Sequence, residues 1–272
     1  MSFFDVLLYP VSAVLWLWHT VFGSLLGPDT GLSWALAIFF LVFTVRAALL
    51  RPALAQVRAA RRTRGLAPQV RALRKKFGHD RQRLAEELRA LHADNGTSMT
   101  AGCLPALVQI PVFLSLYGVL RGFHSGAPQN LIFDSIRVRS FLDADLFGAR
   151  LGAWVSQSVT DLAALGTDHL HMYAVGVPLM LLAGVATFFS TRLALRRQEE
   201  HAAAVPGGDD ATAGQGAGMM RLLPVLAPSG VIIGGLFFPV PIGLLLYFLA
   251  TNVWTYVQTW LVHRWADRSV PA

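Results

Sequence analysis

Five stretches of this chain stay apolar long enough to cross about 30 Å of hydrocarbon as helices: residues 31–51, 101–123, 169–193, 219–238 and 240–262. The segments between them have a different character. Residues 53–64 and 69–93 are rich in helix formers, with Gly65 and Pro68 as a break, and predict a helical hairpin within 52–100. In its second arm Leu73, Phe77, Leu84, Leu88 and Leu91 recur at helical spacing and draw an apolar stripe. The connection 194–218 is rich in Ala, Gly and Asp from 199 onward and reads as a flexible linker. Ahead of the first span, Asp5, Tyr9, Ser12, Trp16 and His19 mark one helical face of residues 3–26, while Phe3, Val6, Leu7, Val14, Leu17 and Val21 lie largely away from it. That pattern predicts a helix lying in a membrane interface within residues 1–30; a spanning or cleaved segment is the alternative.

Composition agrees with the pattern. Hydrophobic residues make up 54% of the 272 and charged residues 14%, whereas a soluble domain carries roughly 25% charged residues. The expected fold class is an all-α polytopic membrane protein. Cys103 is the sole cysteine, which excludes internal disulfides and cysteine-rich metal sites. The net charge of +7 is informative through its placement: between Arg51 and His92 there are twelve Arg or Lys against three acids, and residues 1–45 have neither Arg nor Lys. Positive residues stay on the cytoplasmic side, so 52–100 is expected inside. An odd number of spans then places the N-terminus outside and the C-terminus, with its short 263–272 tail, in the cytoplasm. Segment 124–168 sets Arg137, Arg139 and Arg150 against Asp134, Asp143, Asp145, Asp161 and Asp168 and reads as external. Its Phe141, Leu142, Leu146 and Phe147 would let it lie on the outer leaflet.

The first candidate for chemistry is Arg46, within an otherwise uncharged apolar stretch. A guanidinium near mid-membrane costs about 2.5 to more than 10 kcal/mol, depending on how far it reaches polar surroundings. Such a residue is retained when it snorkels to headgroups or has a wet cavity and a task. Other polar residues cluster at similar depth. Thr251, Asn252, Thr255, Gln258 and Thr259 share a face of the last span, Gln109 and Ser115 lie on the second and Thr44 on the first. Helix-to-helix adhesion would explain them at about 0.6 kcal/mol each; together with Arg46 they suggest a hydrated cavity open to the cytoplasm. The basic hairpin, including Arg61, Arg62, Arg64, Arg71, Arg74, Lys75 and Lys76, suits anionic lipid headgroups or ribosomal RNA. No phosphate-binding loop, nucleophile elbow or paired carboxylates occur, and His169-x-His171 lacks the partners of a metal site. Neither a catalytic role, a cofactor nor a metal is expected.

Several runs, in order, resemble the YidC-type membrane protein insertases. Phe43-Thr44-Val45-Arg46-Ala47-Ala48-Leu49-Leu50-Arg51-Pro52 is similar to that family's arginine-bearing first core helix. Leu66-Ala67-Pro68-Gln69 and Lys75-Lys76-Phe77-Gly78-His79-Asp80 are similar to its cytoplasmic hairpin. Ala101 to Phe113 matches its second core helix, and Leu246-Tyr247-Phe248-Leu249-Ala250-Thr251-Asn252-Val253-Trp254 with Gln258 its last. After the hairpin, Gly96 is followed by Thr97-Ser98-Met99 where the family usually has Asn-Pro.

The resemblance implies a core of five transmembrane helices around a hydrophilic groove, with a cytoplasmic helical hairpin and an N-terminal interfacial helix, in a bacterial cell membrane. Arg46, Thr44, Gln109, Ser115, Thr251, Asn252, Thr255 and Gln258 would line the groove and hydrate the polar tail of an incoming chain. Phe113, Tyr247 and Phe248 would contact its apolar helix as it slides into lipid. The partners implied are nascent integral membrane proteins, anionic lipids, the Sec translocon and the ribosome, with the chain working as a monomer. A small-solute transporter or channel would also use an intramembrane arginine, but such proteins often carry internal repeats and none is evident. A membrane-embedded enzyme would need an acid or histidine cluster that the spans lack.

Overall fold

The computed structural model describes residues 3–51, 54, 65–96, 104–124, 126–203 and 213–268. Helices dominate them: α1 (Phe3–Leu26), α2 (Gly31–Ala48), α3 (Ala67–Phe77), α4 (Arg81–Asp94), α5 (Leu104–Gly122), α6 (Ser135–Asp143), α7 (Val159–Ala164), α8 (His169–Ala203), α9 (Ala213–Phe237) and α10 (Ile242–Arg268). The short strands β1 (Asp145–Leu146) and β2 (Ala149–Arg150) pair antiparallel. Leu8–Leu26, Gly31–Ala48 and His169–Leu193 are long and apolar enough to cross a membrane, and Leu222–Phe237 is a shorter apolar helix. The molecule is an all-α membrane protein. Its contacts divide it into two units: Met1–Ala47 with Pro111–Leu193 and Leu222–Ala272, and Ala48–Ile110 with Ala194–Arg221.

In the first unit, the segment expected to be an external loop is a folded cap against which several helix ends terminate. The start of α2 presses on it: a side chain on Gly31 would overlap the Asp145 carbonyl, so only glycine fits there. The end of α5 is held by Asn130, whose Nδ2 donates to the Val119 carbonyl at 2.8 Å. The start of α10 donates Ile242 N–H to Ala153 O and Gly243 N–H to Leu151 O, both at 2.9 Å. At the start of α8, Thr167 Oγ1 donates to Gly148 O at 2.7 Å. Ser156 Oγ reaches Phe238 O, just past α9, at 3.5 Å. Helices α2, α8 and α10 meet the cap by their N-termini, α5 and α9 by their C-termini.

The cap is built by ordinary local rules. Asp134 caps α6, accepting the Arg137 N–H at 2.9 Å, and Ser158 caps α7 through the Asp161 N–H at 3.1 Å. Helical spacing turns Val138 and Phe141 of α6 inward, and both are buried. Phe141 packs edge-on to Trp34 at 5.1 Å and stacks on Phe123 at 4.3 Å. Of the four residues expected on the outer leaflet, then, Phe141 belongs to the core, Leu142 and Leu146 pack against it, and Phe147 alone is exposed.

Helix α1 turns part of its polar stripe inward, with Trp16 half-buried and Tyr9 exposed. Ser12 and His19 are buried while Leu17, Val21 and Leu25 are exposed. A helix whose polar face met water would show the opposite; here His19 Nε2 donates to the Pro28 carbonyl in the turn after α1.

In the second unit, α3 and α4 pack together as a hairpin. The expected single helix over 69–93 is broken at Gly78-His79-Asp80, because Asp80 Oδ1 accepts the N–H groups of Gln82 and Arg83 at 3.1 and 3.0 Å and starts a new helix. Leu73, Phe77, Leu84, Leu88 and Leu91 are all half-buried, as an apolar stripe along this hairpin requires. Most of the arm expected over 53–64, with Arg61, Arg62 and Arg64, lies outside the described residues. Helix α8 continues to Ala203, beyond the expected end of its span at 193, and α9 begins at Ala213.

Candidate functional site

Arg46 sits in the last turn of α2, half-buried. Tyr247 of α10 is its electrostatic neighbour, and the five expected spans contain neither Asp nor Glu. A guanidinium in that position has aromatic and hydroxyl surroundings but no carboxylate of its own span set to neutralise it. It can therefore attract an acidic group brought from elsewhere without first breaking an ion pair inside the bundle.

The first unit carries the expected groove residues other than Gln109. Thr44, half a turn before Arg46, accepts a hydrogen bond from Trp18 Nε1 at 2.9 Å and donates to Phe40 O at 2.7 Å. Phe43 meets Trp254 with ring centroids 5.5 Å apart, which brings α2 against α10 near this level. On α10, Thr255 donates to Thr251 O at 2.8 Å, Thr259 to Thr255 O at 2.6 Å and Asn252 Nδ2 to Phe248 O at 2.9 Å. Trp254 Nε1 donates to Gln258 Oε1 at 2.7 Å. These groups are satisfied on their own helix, each within one turn. Thr251, Thr255 and Gln258 are half-buried. Asn252 lies on another side of α10, lining a crevice of about 320 Å³ with Ala186, Phe189, Val253, Tyr256 and Val257. Ser115 of α5 is buried at 3% exposure. Gln109 is carried by the first half of α5 and belongs to the second unit.

The three residues expected to form the slide touch one another. Phe113 lies 6.0 Å from Tyr247 and 5.6 Å from Phe248, ring centroid to centroid. Tyr247 is buried, whereas Phe113 and Phe248 are half-buried and offer edges outward. On the hairpin, Arg74, Lys75 and Lys76 are exposed and Arg71 half-buried. Lys76 and Arg83 lie over the Phe77 ring at 5.0 and 5.5 Å, which orders two cations on one apolar platform.

Sequence reasoning missed the polar network under the cap. Trp34 Nε1 donates to Ser140 Oγ at 3.1 Å, Ser140 donates to the Pro28 carbonyl at 2.7 Å, and His19 Nε2 donates to the same carbonyl at 2.9 Å. The His19 ring stacks on Trp34 at 3.7 Å. Partners 106 and 112 residues apart leave no periodicity to read; a buried Trp that needs an acceptor was the only available hint. His171 Nδ1 lies 2.9 Å from Asp168 Oδ1, and the His169 ring stacks on Tyr173 at 5.7 Å. Those bonds, the His171 backbone N–H first and then its ring, hold the Asp168 carboxyl below the usual carboxylate range.

A helical membrane protein with a folded cap over several helix ends and an arginine in the last turn of α2 is the class these features define. The family model of the 60Kd inner membrane protein matches residues 25–269, and the chain belongs to that family. It is 42% identical over 269 residues to the membrane protein insertase YidC of Mycobacterium tuberculosis, a match spanning 93% of this chain and 71% of the relative. Its similarity to the protein of the same name from Mycobacterium leprae is 40% over 269 residues, covering 93% and 68%. The Streptomyces avermitilis protein of that name is 32% identical over 263 residues, covering 97% of this chain and 59% of its own length.

Proposed function

We propose that this chain inserts integral membrane proteins into a bacterial cell membrane by hydrating the polar tail of an incoming helix at Arg46 while its apolar part passes into lipid. The observation that carries this reading is the arginine itself, half-buried on α2 in a span set without a single Asp or Glu. A carboxylate on the translocating tail would be its first anionic partner, and a transient one, since the tail must move on. A membrane potential positive outside would add about 2.3 kcal/mol per acidic charge per 100 mV. Thr44, Thr251, Thr255 and Gln258 would present hydroxyl and amide edges to the tail, with Gln109, Ser115 and Asn252 as further polar positions. Phe113 and Phe248 would meet the departing apolar helix, with Tyr247 behind them. No nucleotide, cofactor or metal enters the scheme.

The reading places the N-terminus outside and the C-terminus in the cytoplasm, and the folded cap on the outer face. Arg71, Arg74, Lys75 and Lys76 would then face anionic headgroups or the ribosome, joined by Arg61, Arg62 and Arg64. The chain would act as a monomer, alone or beside the Sec translocon. No observation favours a solute transporter.

The test is insertion of a single-span protein with an acidic tail into liposomes that hold only this purified chain, scored by protection of the tail from protease. Protection well above empty liposomes is expected. Arg46→Ala should lower it about fivefold for acidic tails, equivalent to about 1 kcal/mol at the wall of a hydrated cavity, and much less for neutral tails. Equal loss for both tails would remove the electrostatic part of the mechanism; no protection above the empty control would refute self-sufficient insertion.

A further inference from the structure

Phe147 is 84% exposed, the most exposed of the large apolar side chains, and its backbone conformation disfavours it. With Gly148 it forms the two-residue turn between β1 and β2, at φ 52° and 86°. Turns with positive φ at both central positions favour Asn-Gly or Asp-Gly, because an L side chain crowds its own carbonyl there. A phenylalanine in the first position pays this cost without joining the packed core of the chain. Among the described residues nothing covers its ring.

The height of this turn is fixed by its neighbours. Asp145 Oδ2 accepts the Gly148 N–H at 2.7 Å, and Thr167 Oγ1 donates to Gly148 O at 2.7 Å. A side chain on Gly148 would collide with the His171 ring, so the turn lies directly against the first turn of α8. The apolar window of α8 begins at His169. With a rise of about 1.5 Å per residue, the Phe147 tip is level with the place where that helix enters the bilayer. Leu170 and Tyr173 of the same turn are 75% and 46% exposed, and aromatic residues of this kind sit at headgroup level.

We propose that the β1–β2 turn is a membrane anchor, with the Phe147 ring inserted among the headgroups and upper acyl chains beside the first turn of α8. The occupant is lipid rather than a partner protein because the tip, Leu146-Phe147-Gly148-Ala149, offers no charge. The flanking charges are engaged internally, Asp145 with the Gly148 N–H and Arg150 with the carbonyls of Leu165 and Asp143. Anchoring the tip steadies the cap against the membrane surface. This inference requires that α8 cross the bilayer; it does not depend on the insertion activity.

The test uses the full chain with Cys103→Ser, which removes its sole native thiol. A nitroxide is attached at Phe147→Cys and, separately, at Gln129→Cys, in liposomes of phosphatidylcholine and phosphatidylglycerol. Collision with oxygen, which enters hydrocarbon, is compared with collision with a water-soluble nickel chelate. The oxygen-to-chelate ratio should be several-fold higher at 147 than at 129; equal ratios would overturn the proposal. Phe147→Asn supplies an independent check, since asparagine suits the turn better. In liposomes its amides over 145–150 should exchange faster than those of the unaltered chain, although the isolated turn is improved. Exchange unchanged or slowed would mean that Phe147 touches no lipid. Either result reads lipid contact by itself, so a chain that anchors but fails to insert would leave this inference standing and remove only the functional one.

Discussion

The two ends of the first unit handle buried polar groups in opposite ways. Under the cap, hydrogen bonds join residues distant in sequence: Trp34 to Ser140, Ser140 to Pro28, Asn130 to Val119, Ile242 to Ala153. Around Arg46, nearly every polar side chain bonds within its own helix, as Thr44 does to Phe40, Thr255 to Thr251 and Asn252 to Phe248. Trp18 to Thr44 crosses between helices. An element of the cap cannot leave without orphaning buried donors and acceptors, a cost of about 1–3 kcal/mol for each group. Near Arg46 the bonds of Thr44, Thr255 and Asn252 to carbonyls of their own helices tie no second element down, while the Thr251 hydroxyl is buried without a partner among the described residues. One end is tied together by bonds between distant segments; the other rests mostly on bonds within single helices.

The strongest blow to this contrast is Trp34→Ala. Trp34 is fully buried, and it touches His19, Phe123, Phe133 and Phe141 besides Ser140. Its loss should destabilise the cap by about 3–5 kcal/mol, visible as a lowered melting temperature in detergent and faster exchange over residues 130–167. Ser140→Ala should cost about 1–3 kcal/mol in the same assay, because the Trp34 N–H is left buried without an acceptor. At the other end, Thr255→Val removes a hydroxyl that bonds only its own helix; stability should change by no more than about 0.6 kcal/mol. A Thr255→Val effect as large as that of Ser140→Ala would erase the distinction between the ends.

The smallest expected effect concerns the start of α8. Asp168 accepts the backbone N–H of His171 and bonds its ring, both at 2.9 Å, and its carboxyl is held below the usual range. A carboxyl whose folded-state pKa is depressed stabilises the fold above its unfolded value, about 3.9, and that contribution disappears as pH falls through the lower folded value. Protection of the first turn of α8 should therefore decline in acid below about pH 4, while Asp168→Asn should show no such step. Both residues are exposed, so the change should be local and leave Trp34 fluorescence undisturbed.

Much of this was legible in the chain before folding. Runs of apolar residues announced the long apolar helices Gly31–Ala48 and His169–Leu193 because a bilayer imposes a length that can be counted. The placement of Arg46 was visible because one charge among apolar residues is costly wherever the helix goes. The break at Gly78-His79-Asp80 was also written there, as a glycine followed by an N-capping aspartate, but continuous helix formers on either side masked it. The inward turn of Ser12 and His19 was not legible. Periodicity showed that they share a face, and only neighbouring helices could decide whether that face met water or protein.

Local pattern thus determined which segments are helices, which are apolar enough for a membrane, and where the basic and acidic residues concentrate, since each of these follows from residues within a few turns. The tertiary structure alone decided that the segment over 124–168 is a folded cap rather than a loop. It alone decided that Phe141 is core while Phe147 stands exposed, and that Trp34 finds its acceptor on Ser140. Those outcomes depend on pairings across about a hundred residues, whose partners are chosen by fit and by the cost of leaving a buried polar group unpaired, and nothing in the local sequence names the partner.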